Sequence, residues 1–169
     1  MEEKSILKGM VKVAGKTYHN QITNEGFISV IKSLAGTKLT SNKITNMVLL
    51  NEFVMPEGKT DKTLTFEDIK DYIAYQGFTG NGSVDVQTFT STEEPFKLSL
   101  ISTIPADRAN SNPNFNAAAL IMNGDPQMTS SNSSYYISTG NEIVFSIVHF
   151  QVTKGSEDEF VVIWYITAA

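Results

Sequence analysis

The stretch that decides the fold is residues 160–167, which reads Phe-Val-Val-Ile-Trp-Tyr-Ile-Thr. A half-buried strand alternates apolar and polar residues, whereas a run that is apolar on both faces is typical of a strand covered from both sides. The domain's own second layer can cover one of the two faces. We expect the other face to contact a neighbouring subunit, and its residues are Val161, Ile163 and Tyr165.

The composition predicts a single β-rich domain over residues 1–169. Hydrophobic residues make up 41% of the chain, so it can bury a core without disulfides or metals. Charged residues make up only 18%, below the usual quarter, and Ser, Thr and Asn supply much of the polar surface. That balance is common in proteins whose strands use Thr and whose turns use Asn, Ser and Gly.

The charge pattern argues against nucleic acid and anionic membranes as partners. The formal net charge is −5, Arg108 is the single arginine, and the lysines are scattered along the chain. Nucleic-acid binding requires basic residues gathered to neutralise phosphates, and no such stripe is present. The same scarcity of basic clusters disfavours an anionic membrane surface.

Cysteine-dependent chemistry is excluded because the chain has no cysteine. The acidic start, Met1-Glu2-Glu3-Lys4, does not resemble a signal peptide, and no apolar stretch reaches the length of a membrane span. We therefore expect synthesis as a soluble protein in the cytoplasm.

The order of the patterns predicts an antiparallel β-sandwich-like fold with one helix packed on it. An amphipathic helix is expected over about residues 24–35, with Thr23 or Asn24 as its cap and Gly36 after its end. A second short helix is expected over about residues 66–75, because Thr65 and Asp68 have the spacing of a capping box. A strand over residues 72–75 is the alternative. Strands are predicted at 6–13, 43–51, 84–90, 96–104, 115–122, 135–137, 142–153 and 160–167, and loops at 55–63, 77–82, 105–114 and 123–134.

Several stretches resemble segments of bacteriophage virion proteins. The phrase Ile22-Thr23-Asn24-Glu25-Gly26, the helix after it and the strand Ile44–Leu50 resemble the opening of small tail-fibre and baseplate-associated proteins. Residues 162–167 resemble the "apolar-x-Trp-x-Ile-Thr" ending of many small virion proteins, which include head-decoration and collar proteins. The resemblance implies a non-enzymatic structural protein of the virion, which assembles into rings or trimers. It implies as partners further copies of the chain and other virion proteins.

No pattern supplies a nucleophile, a base and an electrophile together, so we expect no catalytic, cofactor-binding or metal-binding residues. His149 lies in an apolar strand pattern, where histidine is more often structural than a general base. The acidic pairs Glu93-Glu94 and Glu157-Asp158-Glu159 are interpreted as solvated caps beside strands rather than calcium ligands. Tyr135 and Tyr136 lie beside a polar loop, and as exposed contacts they indicate an alternative function, a carbohydrate- or receptor-binding module for a host-surface glycan.

Overall fold

The computed structural model describes residues 7–34, 44–78, 84–89, 97–107, 109–110, 113–128, 134–137 and 139–168. The helices of this part are α1 (Asn24–Leu34) and α2 (Phe66–Ile69), with single 3-10 turns at Asp61–Thr63 and Lys70–Tyr72. Its strands are β1 (Leu7–Val13), β2 (Lys16–His19), β3 (Gln21–Ile22), β4 (Ile44–Leu50), β5 (Ile73–Phe78), β6 (Val84–Phe89), β7 (Lys97–Ile104), β8 (Asn114–Met122), β9 (Asp125–Met128), β10 (Ser134–Ile137), β11 (Ile143–Thr153) and β12 (Phe160–Ala168).

Two five-stranded antiparallel sheets pack face to face, which confirms the predicted sandwich-like fold. The outer sheet has the order β2-β1-β12-β7-β6, and the central sheet has the order β3-β11-β8-β4-β5. Their facing sides form one apolar core, in which the Phe115 ring lies 5.8 Å from the Phe160 ring across the two sheets. Strands β9 and β10 form a separate two-stranded ribbon.

Strand β12 lies in the middle of the outer sheet, between β1 and β7. Its inward side chains are buried in the core, and Trp164 is the largest of them. Trp164 pairs with Val11 on one side and Leu100 on the other, both also buried. Apolar side chains at alternate positions of three neighbouring strands thus form the inner face of this sheet.

The central sheet is buried on both of its faces. Its second face is covered by residues 51–72, called the covering segment, which runs back over β4, β8 and β11. Phe53 anchors the segment, because its N–H donates to Asn116 Oδ1 at 2.9 Å and its carbonyl accepts from Asn116 Nδ2 at 2.9 Å. The buried apolar side chains that the segment contributes are Phe53, Leu64, Phe66 and Ile69.

Helix α1 is capped by Thr23, one of the two predicted caps, and packs closely on β11 at Gly26. The Thr23 hydroxyl accepts from the Gly26 N–H at 2.9 Å and donates to the Val144 carbonyl of β11. Gly26 is buried against Phe145, while Ile28 and Ile31 are about half exposed. The side of the helix that touches β11 is therefore lined by small residues, which permit a close approach of the two backbones.

The predicted second short helix is confirmed over Phe66–Ile69, but its predicted end is wrong. The chain leaves the 3-10 turn at Tyr72 and enters strand β5 at Ile73, which agrees with the alternative of a strand over residues 72–75. Strand β5 continues to Phe78, so the loop predicted at 77–82 began too early. Residues 123–134 are not loop throughout, because 125–128 form β9 and pair with β10. Backbone pairing decides that strand, since Asp125 and Pro126 have little strand preference of their own. Gly36 and Glu93-Glu94 lie outside the described residues.

Candidate subunit interface

The outward face of β12 keeps substantial exposure. Val161 is 36% exposed, and Ile163 and Tyr165 are half-buried. Strand pairing brings two more apolar side chains to this face, since Tyr165 pairs with Met10 of β1 and Ile163 pairs with Ile101 of β7. Met10 is 40% exposed. These five residues, Met10, Ile101, Val161, Ile163 and Tyr165, are called the open face.

The open face differs from both faces of the central sheet, which has comparably apolar strands. Residues 117–122 of β8 are buried on both sides, by the outer sheet and by the covering segment. In the described part of the chain, the outer sheet has an equivalent cover on its inner side only. A contiguous apolar area of this kind on a globular domain is typical of an interaction site.

Charged side chains lie at the two ends of the open face. Lys8 is exposed on β1 and pairs with Thr167, near the end of β12. Glu157, Asp158 and Glu159 are exposed in the turn that precedes β12. The open face therefore has a basic side chain at one end of β12 and an acidic turn at the other.

A cleft of about 380 Å³ opens where the acidic turn meets the open face. Val161 and Ile163 form part of its wall, together with Lys12, Asp158 and Glu159. Lys12 makes no ion pair with these two acids in the described part of the chain, where the lysine ion pairs join Lys59 to Asp68 and Lys70 to Glu67. The charges around the cleft are thus available to a partner.

Lys154 holds the wall of the cleft in place. Its side chain is only 3% exposed, and its Nζ donates to the carbonyl of Ala106 at 2.8 Å, to Asn110 Oδ1 at 2.9 Å and to the carbonyl of Gly155 at 3.1 Å. A buried ammonium requires such acceptors, because its desolvation is otherwise costly. Lys154 therefore ties the turn before β12 to residues 106–110.

The tyrosines predicted as loop contacts lie on a different part of the molecule. Tyr135 and Tyr136 belong to β10, whose backbone pairs with Gln127 and Pro126 of β9. The ribbon of β9 and β10 contacts β5 at the edge of the central sheet, and the open face is on the outer sheet. The two sets of predicted site residues are not brought together.

His149 has a structural environment. Its Nε2 lies 2.7 Å from Asp61 Oδ1, and its ring stacks on Phe53 at 6.1 Å. Both partners belong to the covering segment, so the histidine fastens that segment to β11. Within the described ranges, no three Asp, Glu or His side chains are grouped to hold a metal ion, and no helix is long and apolar enough to cross a membrane.

Sequence reasoning missed Met10, Ile101 and the charges that flank them. The alternation in residues 8–13 (Lys-Gly-Met-Val-Lys-Val) does place Lys8, Met10 and Lys12 on one face of a strand. Only the pairing of β1 with β12 shows that this face continues the face of Val161. Comparison with protein-family models, with curated proteins and with solved structures finds no match.

Proposed function

We propose that this protein is a non-enzymatic structural component of a bacteriophage particle, in the tail, baseplate, collar or capsid decoration, and that it acts by oligomeric assembly. The observation that carries the proposal is the open face in the middle of the outer sheet, where Val161 and Met10 stay exposed beside half-buried Ile163 and Tyr165. The partners are further copies of the chain and other virion proteins.

Burial of the open face favours assembly. Burial of apolar surface stabilises by about 25 cal/mol per Å², so a few hundred Å² contribute on the order of 5–10 kcal/mol before the cost of association. The apolar surface of a central strand is usually buried against a second layer of the same domain. Here the covering segment packs on the central sheet, and within the described ranges no segment covers the outward face of the outer sheet.

The virion assignment is supported by the resemblance of the segments at 22–26 and 162–167, and these segments have defined structural roles. Thr23 caps α1 and binds β11, Gly26 permits the close approach, and Trp164 fills the core beneath the open face. Thr23 and Gly26 thus attach α1 to the central sheet, and Trp164 belongs to the core between the two sheets.

Self-association is tested by size-exclusion chromatography with multi-angle light scattering across a concentration series. We expect the wild-type chain to be an oligomer and Val161→Lys to shift it toward the monomer, because a lysine on the open face must lose hydration in the contact. Val54→Lys is the matched control, since Val54 is 65% exposed on the covering segment and the same substitution there should leave the mass unchanged.

A wild-type chain that stays monomeric at all concentrations would contradict assembly through copies of itself. The virion assignment has its own test, which is mass spectrometry of phage particles purified on a density gradient from the source culture. We expect the chain to sediment with intact particles. Its recovery only among free proteins would overturn the assignment.

A further inference from the structure

We infer that the partner on the open face is a second copy of this chain, turned antiparallel about a two-fold axis that passes over Ile163. The inference rests on the proposed function and adds the identity and the orientation of the partner. It follows from the order of charges and side-chain sizes along β12.

Charges of opposite sign lie at the two ends of the open face along the strand direction, with Lys12 between them beside Ile163. Lys8 pairs with Thr167 at one end, and Glu159 immediately precedes β12 at the other. Eight residues separate positions 159 and 167, a distance of about 26 Å along an extended strand. Neither Lys8 nor Glu159 makes an ion pair among the described residues.

An antiparallel two-fold arrangement places Lys8 of each copy over the acidic turn of the other. This contact forms twice, and it brings opposite charges together at both ends of the interface. The parallel two-fold arrangement instead superposes residues 157–159 on the same three acids of the partner, where like charges repel. Charge complementarity therefore selects the antiparallel orientation.

The positions of the apolar residues along β12 are consistent with the same axis. Ile163 is midway between positions 159 and 167, so it packs on the partner's Ile163. The smaller Val161 then lies opposite the larger side chain of the partner's Tyr165, which is the small-against-large fit that packed layers favour. Lys12 pairs with Ile163, so the axis brings it near the partner's Lys12, and the two Lys8 contacts have to outweigh this one like-charge contact.

The outer sheet supplies most of the area that such a contact needs. Its five strands have 34 residues in all, which at about 3.3 Å per residue and 4.8 Å per strand present a face of roughly 540 Å². A standard protein interface buries about 800 Å² on each partner, so the turn at residues 157–159 also belongs to the contact. Because the same surface is used on both copies, the contact closes a dimer, and a ring would require a further surface.

Charge reversal tests the orientation, with sedimentation velocity as the readout and circular dichroism to verify folding. We expect Lys8→Glu and Glu159→Lys each to raise the dimer dissociation constant about tenfold, since each reverses two exposed contacts. An equimolar mixture of the two variants should regain wild-type affinity, because its heterodimer has two opposite-charge contacts. High salt should remove the differences.

Lys62→Glu is the matched control, because Lys62 is exposed in the covering segment, away from the outer sheet. It should leave the dissociation constant unchanged. A dimer that is broken by Val161→Lys but insensitive to Lys8→Glu, or not rescued by mixing, would overturn the antiparallel orientation and leave assembly through the open face intact. A monomeric wild-type chain would overturn both.

Discussion

Replacement of Gly26 by alanine tests the contact between α1 and the central sheet. A Cβ atom built on Gly26 lies 2.6 Å from the carbonyl oxygen of Phe145 and 2.8 Å from its Cα. These distances are about 0.8 Å and 0.6 Å below an ordinary contact of 3.4 Å. The atoms approached are backbone atoms of β11, so a rotamer change cannot relieve the clash. The helix has to move away from the strand.

That movement breaks the two hydrogen bonds that attach the helix start to β11. The Thr23 N–H donates to the Phe145 carbonyl at 2.9 Å, and the Thr23 hydroxyl donates to the Val144 carbonyl. Each bond contributes about 1 kcal/mol, and overpacking adds about 1–3 kcal/mol. Alanine regains about 1 kcal/mol through its higher helix propensity. We expect a net loss of about 2–4 kcal/mol, which lowers the Tm by about 4–16 °C in a domain of this size.

Thermal unfolding followed by circular dichroism, with urea unfolding at 25 °C, measures the loss. Asn24→Ala is the control, because it introduces alanine into the same helix at an exposed position and should change the stability by less than about 0.5 kcal/mol. If Gly26→Ala were as stable as the wild type, or more stable, the close approach of α1 to Phe145 would be refuted.

Two further predictions concern charged groups. Lys154→Met should destabilise the fold by about 1–3 kcal/mol in urea unfolding, because the partly buried acceptors of Lys154 lose their donor, and an unchanged midpoint would contradict its structural role. Burial raises the pKa of Asp68, but hydrogen bonds from the Thr65 N–H, Lys59 and the Thr65 hydroxyl, together with the charge of Lys59, outweigh burial and hold that pKa below its ordinary value. A lowered pKa stabilises the fold above the unfolded-state pKa of about 4, and this stabilisation is lost as the pH falls through the folded-state pKa. Asp68→Asn should therefore be less stable than the wild type at pH 7, and this difference in the free energy of unfolding should shrink below about pH 4. A difference that does not change with pH would show that the ionised carboxylate is not the source of the stabilisation.

Local patterns were sufficient for most of the elements of this fold. The cap at Thr23 was readable because a short polar side chain before an apolar helical pattern binds free N–H groups. The capping box was predictable because Thr65 and Asp68 are three positions apart just before the helical pattern. Strand β9 was not readable, because it forms by pairing with β10 and its residues resemble a turn. The sequence also did not predict which side chains of α1 face solvent, because the close approach at Gly26 decides which side of the helix packs on β11.

The sequence by itself determined that residues 160–167 form a strand that is apolar on both faces, because side-chain alternation is a local property. It did not determine which strands with this pattern are covered by the chain. Strand β8 has the same two-sided character, and the covering segment buries its second face. Only the tertiary structure decided that β12 receives no such cover among the described residues and that Met10 and Ile101 extend its outward face. Those relations depend on contacts between distant segments, which hydrophobic periodicity does not encode.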